Sequence, residues 1–494
     1  MFFLRSPDLL ACADPRDATW ETLPEGDVGL QDRVGRLKLG EEPHVLEVCE
    51  GGRRLFCCWR TDAGRVASAY SDDGGASWDT RSSHAPAAWM SYDAAGRHPL
   101  RNPRGAITPY RFLRDAPGGR HRFAFLFYNN GRLEREGYVG REVVWITVGT
   151  TTTRGGDGAR GACIEWAQPE IVLWWGGEAL ADREGWNPDT ALVDGFGYCD
   201  FVELPSSSEE GENELFFVGS NKLSCRCFRV APRTLALLDR QRTLRAVPRD
   251  GLVAAFTGLA GAAVQRRRMP VLPDLRAGGG FTLLLWIRAR HRPGAHASGR
   301  GIGDRFRGDA TVVGGTQRVT AALDESATTA TIVKGFTVAT TGLTAGPGRV
   351  GGLTLRVSNG FGAEFAISTD DVTTCALADG APHLVGFVVD GGPKVASVVV
   401  DGRLCDGGSV APQGWQFVPR GLGEIGGAQV GLHTQFGAPL PSAGDIDANE
   451  GHAGELLSFL CFHRALLTSE VIGAWRAGPG ATEEVCGQER VSRL

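Results

Sequence analysis

The chain is poor in lysine, methionine and tyrosine: its 494 residues include 3 Met and 6 Tyr, and Arg supplies nearly all of the basic charge. That arginine bias is read as genomic base composition before function. No apolar run is long enough to span a bilayer as a helix. The densest basic tract is Arg266-Arg267-Arg268, and with a formal net charge of −5 this makes nucleic acid a poor partner. No C-x-x-C pair occurs among the 12 Cys, so a zinc site is not expected. Cys57 and Cys58 are adjacent, and Cys225 and Cys227 lie two apart. These spacings suit buried free thiols packing as small hydrophobes, with a disulfide or two only if the protein is exported. Arg5 and Asp8 interrupt the first apolar stretch, which makes it a poor signal peptide. A soluble chain is expected, with export depending on a start further upstream.

Helical periodicity is nearly missing too, apart from a turn at Thr234–Leu238. What the chain has in abundance is glycine, 70 residues with no Gly-X-Y period. Glycine reaches positive φ at low steric cost, so glycine scattered between short apolar runs reads as strands joined by tight turns. Strand candidates include Leu55–Trp59, Val66–Tyr70, Phe123–Tyr128, Val143–Val148, Ile171–Trp175, Phe201–Leu204 and Cys225–Val230. A second run opens at Phe281–Ala289 and includes Leu353–Val357, His383–Asp390, Ala396–Val400 and Gly454–His463. Between the runs, Ala/Gly-rich sequence and the arginine triplet read as a linker. The expected organisation is a first domain over 1–250, a linker over 251–280, a second domain over 281–477 and a tail over 478–494. The fold class is all-β.

Ser71-Asp72-Asp73-Gly74-Gly75-Ala76-Ser77-Trp78 matches S-x-D-x-G-x-x-W. In such a turn the carboxylate caps backbone N–H groups and glycine takes the positive φ. The motif resembles the Asp box of sialidase-like propellers, where it is a structural staple. The resemblance continues through Arg101-Asn102-Pro103-Arg104-Gly105, Phe127-Tyr128-Asn129-Asn130-Gly131, Tyr138-Val139-Gly140-Arg141, Trp166 to Glu170, Tyr198 to Glu203 and Asn221 to Arg226. This order resembles bacterial sialidase-like, BNR-repeat proteins that carry a C-terminal laminin-G-like module. It implies an N-terminal β-propeller of five or six blades, incomplete at about 40–45 residues per blade. Phe281 to Arg288, the pair His383 to Asp390 and Val398 to Arg403, and Gly454 to Glu470 resemble the laminin-G-like (concanavalin A-like) jelly roll, with Thr468 as a helix N-cap.

What the resemblance implies is a carbohydrate-active protein. Sialidases clamp a sugar carboxylate with three arginines, whose planar forks suit it, and use a Tyr nucleophile activated by Glu plus an Asp acid/base. The first arginine is expected where this chain has Glu41-Glu42-Pro43, and a carboxylate there would repel an acidic sugar. Asp62 is the only carboxylate in the short loop of the acid/base. The candidate catalytic set is Tyr198, Asp200, Glu170 and Asp62, with Arg60, Arg104, Arg141 and Glu203 binding substrate. Tyr198 and Asp200 flank Cys199, so a strand puts both on one face. Each could instead tie neighbouring strands together. The expected activity is glycoside hydrolysis at a terminal sugar, acidic sugars included; the alternative is a non-catalytic glycan- or protein-binding scaffold. The partner is a glycan or glycoprotein. No cofactor is required, although Asp445, Asp447, Asn449 and Glu450 offer hard oxygen ligands for Ca²⁺ in one loop.

Overall fold

A computed structural model describes residues 3–24, 40–48, 53–78, 89–92, 98–103, 105–116, 118–131, 141, 143–153, 162–174, 197–206, 213–220, 225–257, 259, 264–290, 311–322, 329–340, 352–359, 363–369, 377, 379–405, 415–419, 421–423, 425, 429–433, 435–436 and 453–492. It divides into two compact units, Met1–Asp239 and Arg240–Leu494. Strands dominate both, as an all-β protein requires.

In the first unit β1 (Phe3–Arg5) pairs with β2 (Glu21–Leu23). A three-stranded sheet follows from β3 (Gly40–Glu47), β4 (Leu55–Thr61) and β5 (Val66–Ser71). Next come β6 (Thr108–Arg111), β7 (Arg122–Phe127), β8 (Val143–Thr153), β9 (Ala162–Trp166) and β10 (Glu170–Trp174), ordered β10-β8-β7-β6 with β9 also on β8. A third sheet holds β11 (Tyr198–Leu204), β12 (Glu214–Ser220) and β13 (Cys225–Arg229). Helix α1 (Pro232–Arg240) ends the unit. Among the described residues this makes three larger sheets and one pair, fewer than five or six blades. Everything after α1 is built into the second unit.

Burial follows strand position. The central strand β4 is apolar without alternation and buries Phe56, Cys57, Cys58 and Trp59, as a strand covered on both faces must. Strand β12 instead alternates, with Leu215 and Phe217 buried and the residues between them half-buried. Burial pushes the Cys57 thiol up to about 12, so it is an inert apolar group. Cys225 and Cys227 depart from the expected burial: both are exposed, because β13 is outermost in its sheet and turns them to the uncovered face. The described cysteines are free thiols.

The turn after β5 closes on its own side chains. Ser71 Oγ donates to Asp73 Oδ1 (2.8 Å) and accepts the Gly75 N–H (2.8 Å), while Asp73 Oδ1 also accepts the Ser77 N–H (2.8 Å). Gly74 and Gly75 take φ of +74° and +96°. Trp78 lies against Phe3, ring centroids 5.4 Å apart. Burial raises the Asp73 carboxyl, but hydrogen bonds from Ser77 and Ser71 outweigh it and hold the group below its usual range. Asp73→Ala should therefore cost about 1–2 kcal/mol, the scale of two modest hydrogen bonds. Its stability deficit against the native chain should be fullest above the carboxylate range and fade as the pH falls through it. Chemical denaturation at pH 7 and pH 3 checks both.

In the second unit, β14 (Leu252–Thr257), β16 (Gly280–Arg290), β21 (Asp379–Asp390), β22 (Val395–Val400), β23 (Arg403–Leu404) and β27 (Ala453–Phe462) run in the order β14-β27-β16-β21-β22-β23. Short strands β24 (Trp415–Phe417) and β26 (Gln435–Phe436) join its β22 and β27. A second sheet orders β15 (Val264–Arg268), β25 (Gln429–His433), β17 (Thr311–Ala322), β18 (Thr329–Thr340), β19 (Leu353–Ser358) and β20 (Glu364–Ser368) as β15-β25-β17-β18-β19-β20. Phe281, Leu283, Phe387, Val398 and Phe459 of the first sheet share one apolar core with Val313, Phe336, Leu355 and Leu432 of the second. The stretch read as a linker is not a tether: β14 pairs with β27 and β15 with β25. Its Ala/Gly-rich composition hid short strands whose partners, Ser458–Phe462 and Gln429–His433, lie far along the chain.

Helix α2 (Thr468–Ser492) closes this unit. The Leu467 carbonyl accepts the N–H groups of Glu470 and Val471, and Glu470 Oε2 accepts the Leu467 N–H (3.0 Å). The cap thus falls on Leu467, one residue before the expected Thr468, with Glu470 closing a capping-box arrangement. Gly478, at φ +83°, breaks the helix before Pro479.

His383, near the middle of β21, is held between two carboxylates: Nδ1 to Asp401 Oδ2 at 2.6 Å and Nε2 to Asp379 Oδ1 at 2.9 Å. The Asp401 hydrogen bond outweighs burial and, with Asp379, lifts the imidazole to about 9. A raised folded value means the stabilisation is complete below about 6.5, the free-histidine value, and disappears as pH rises through about 9. With Asp379 half exposed, the screened contribution is on the order of 2 kcal/mol. Melting temperatures at pH 6 and pH 10 should converge for the native chain and His383→Gln only at the alkaline end.

Candidate functional site

One end of the first unit gathers the polar residues. It is built from the start of β3, the end of β4, the loop 101–105, the residues after β7, Arg141 before β8 and the start of β11. Strand β6 runs beside both β3 and β11, and Thr108 Oγ1 donates to the Cys199 carbonyl (2.7 Å), which fixes these sheets together.

Arg60, the last residue but one of β4, binds two carboxylates at once, Glu41 Oε2 at 2.7 Å and Glu42 Oε1 at 2.9 Å. The Tyr198 hydroxyl donates to that same Glu42 Oε1 at 3.2 Å. Glu42 sits where the pairing of β3 with β4 slips, between Glu41 and His44, and takes φ +53°. A non-glycine residue at positive φ before a proline is strained, and a bulge re-aims its side chain. Here the re-aimed carboxylate reaches Arg60 and Tyr198.

Behind this trio the site is buried. Arg141, 5% exposed, lies over the Tyr128 ring at 6.0 Å. Gly105 permits that stack: a Cβ there would fall 2.6 Å from the Tyr128 ring and 3.4 Å from Arg141 Nε. Burial drives the Tyr128 phenol well above its ordinary range; Cys199 and Glu42 add to this, while Arg141 and Arg60 oppose it. Tyr128 is therefore a neutral wall and hydrogen-bonding group. His44 is pushed down by burial, against the pull of Glu42 and Asp200, so it is neutral at pH 7. Asn102 ties the loops: its Nδ2 donates to the carbonyls of Pro103 (2.7 Å) and Gly105 (2.8 Å), and its Oδ1 accepts the Tyr128 N–H (3.1 Å). Asn129, at φ +46°, is a second strained residue at this end.

Of the residues expected from sequence, Arg60, Tyr198 and Arg141 come to this end. Asp200 lies two residues along β11 from Tyr198, exposed, with its Oδ1 accepting the Phe201 N–H at 2.8 Å. Asp62 stands in the turn after β4, two residues from Arg60; its carboxylate makes no hydrogen bond or ion pair with another described residue. Glu203 does not join the site. Its Oε2 accepts from Tyr110 (3.2 Å) and the Leu113 N–H (2.8 Å), and its Oε1 from Asn213 (2.6 Å), so it braces β6 against β11. Glu170 is buried, 2% exposed, in β10 opposite Ile146. Arg104 and the four oxygen-bearing residues Asp445, Asp447, Asn449 and Glu450 lie outside the described residues.

Glu41, Glu42, Tyr128 and Asn102 are the site residues that sequence reasoning missed. Glu41 and Glu42 were expected to repel an acidic sugar. In the structure Arg60 reaches both, and the Tyr198 hydroxyl donates to Glu42. The available signal was Glu-Glu-Pro opposite an arginine at the end of the neighbouring strand. No described group of three or more His, Cys, Asp or Glu is placed to hold a metal ion. No described helix is long and apolar enough to cross a membrane.

The class thus defined is a mostly β-strand protein with a Tyr–Glu–Arg constellation at one end of its first unit. No protein-family model matches the chain, and no curated protein matches it in sequence. Among solved structures it is similar to a Trypanosoma rangeli sialidase, at 15% identity and a TM-score of 0.26, over 95% of this chain and 66% of the sialidase. The same sialidase in complex with sialic acid aligns at 13% identity and TM-score 0.26, over 89% of this chain and 62% of that one. A structure concerning cell entry of botulinum neurotoxin type C and its interaction with two ganglioside molecules aligns at 10% identity and TM-score 0.25, over 56% and 46%. The chain spans less than two thirds of the length of these structures.

Proposed function

We propose that the first unit is a sialidase-like propeller that hydrolyses a terminal glycoside with retention, and that the second is a laminin-G-like jelly roll that binds glycan. The observation that carries the reading is the Tyr198 hydroxyl on Glu42 at 3.2 Å, with Glu42 held by Arg60 in a strained backbone. Tyr198 Oη attacks the anomeric carbon as its proton passes to Glu42 Oε1. The glycosidic C–O bond breaks, and Asp62 protonates the leaving oxygen. Water, deprotonated by Asp62, then displaces the tyrosyl oxygen, which takes its proton back from Glu42. Arg60 is outnumbered by two carboxylates, so the sugar in this site is neutral and not acidic.

The test incubates the full chain with activated fluoro-sugars, neutral and sialosyl, and reads the intact mass. A glycosyl adduct mapped to Tyr198, absent from Tyr198→Phe, supports the reading. Tyr198→Phe should lower turnover of a neutral aryl glycoside by at least about 10²-fold, the scale of losing a positioned catalytic group. A second reading, glycan binding without turnover, has its own support. Glu170, expected in catalysis, and Glu203, expected to bind substrate, are committed to the fold. It prevails if no sugar labels the chain and no aryl glycoside is cleaved.

A further inference from the structure

The strand β15 carries Arg266, Arg267 and Arg268 in succession, all exposed, at the outer edge of the β15-β25-β17-β18-β19-β20 sheet. Three other arginines of this unit meet carboxylates: Arg288 pairs with Glu455, Arg276 with Asp274 and Arg464 with Glu470. Arg266, Arg267 and Arg268 pair with no described carboxylate. Arg267 donates to Gln265 Oε1 at 2.6 Å, and no ion pair joins any of the three to another described residue. Three adjacent positive charges on a chain of net charge −5 are a local reversal of sign.

Their geometry is regular. Arg266 and Arg268 share the sheet's outer face and Arg267 lies on the other, roughly 3.3 Å further along the strand per residue. Arg266 lies opposite Gly431, which lies opposite Gly314, so no side chain rises beside it on that face. His433, opposite Val264, is pushed down by burial and adds no charge at pH 7. A strand at a sheet edge also presents backbone N–H groups on its far side, which are donors for an anion.

We infer that β15 is a docking edge for an acidic polysaccharide, a chain of 1,4-linked uronic acid residues, gripped by Arg266, Arg267 and Arg268. Charge complementarity selects an anion, and the planar guanidinium fork matches a carboxylate in two hydrogen bonds. A polyuronate carries one carboxylate on every sugar, so several can meet the row of guanidinium groups at once. The edge belongs to the second unit and the Tyr198 site to the first, so the inference does not rest on the hydrolase reading. Charged residues on an edge strand also deter strand-to-strand aggregation, and that role accepts either sign.

The experiment therefore reverses the sign. The full chain and the variant Arg266→Glu/Arg267→Glu/Arg268→Glu are compared for binding to immobilised polygalacturonate, with dextran, heparin and duplex DNA alongside. Melting temperature and gel filtration verify folding and monodispersity. The expected result is salt-sensitive binding to polygalacturonate, more than tenfold weaker in the triple variant at equal melting temperature, with no binding to dextran. A second variant, Arg266→Gln/Arg268→Gln, should lose a smaller part and covers the case in which the triple variant misfolds. Absence of polygalacturonate binding, binding untouched by the variants, or equal or tighter binding to heparin or DNA would each overturn the inference.

Discussion

Arg60→Ala is expected to destabilise the first unit by about 2–4 kcal/mol at neutral pH. Removing one partner of a buried ion pair costs about 3–5 kcal/mol, because the remaining charge keeps its desolvation without compensation. The figure is lower here because the Glu41 and Glu42 side chains are 25% and 30% exposed. Two carboxylates would then face each other beside the Tyr198 hydroxyl. A double variant, Arg60→Ala with Glu41→Gln, should recover part of the loss at neutral pH. Denaturant unfolding gives both stabilities. A double variant no more stable than Arg60→Ala would mean that Arg60 contributes by packing and not by charge. In the hydrolase reading the same variant loses activity beyond its stability deficit, since Glu42 is no longer held as a base.

Asn102→Ala should be comparably damaging for a different reason. Asn102 is 1% exposed, and its side chain bonds two carbonyls of its own loop and the N–H of Tyr128. Alanine takes this partner from the Gly105 carbonyl and the Tyr128 N–H, at about 1–3 kcal/mol each before the loop relaxes, while the Pro103 carbonyl keeps the Gly105 N–H. A net loss of roughly 3–4 kcal/mol is expected, with amide exchange rising at Tyr128. Asn102→Asp is the sharper comparison. It keeps the acceptor for the Tyr128 N–H but sets a carboxylate against two carbonyl oxygens, so it should be no better than alanine at pH 7 and improve in acid. Asparagine is required for having both a donor and an acceptor end.

Some of this was legible from residues alone. Val66–Tyr70 and Leu55–Trp59 read as strands because apolar and β-branched runs end in Asp/Gly turns, and they are β5 and β4. The turn at Ser71–Trp78 was legible because its bonds are local: Ser71, Asp73, Gly75 and Ser77 cap one another within six residues. The strands of the second unit at 281–290, 379–390 and 453–462 were legible for the same reason as β5. The stretch 251–280 was not, since weak apolar character reads as a linker until a distant partner strand supplies the ladder. Glu170 read as catalytic and Glu203 as substrate-binding because a carboxylate in a turn-rich polar segment carries no sign of what it meets. Glu203 meets Tyr110, about 90 residues away in the chain, and the bond that decides its role cannot be seen in one dimension.

The sequence by itself determined the class: all-β, the positions of the main strands, the local turn at Asp73, and Arg60, Arg141 and Tyr198 as polar residues near strand ends. These depend on periodicity and on turn chemistry, both short-range. Tertiary structure decided which carboxylate belongs to the site. Glu42 entered through a slipped register at Pro43 that swings it onto Arg60 and Tyr198, while Glu170 and Glu203 were drawn into the sheets. It also decided that the arginine triplet is an exposed edge and not a linker. Both outcomes rest on pairings between residues far apart in the chain, which hydrogen-bond geometry fixes only once the sheets have formed.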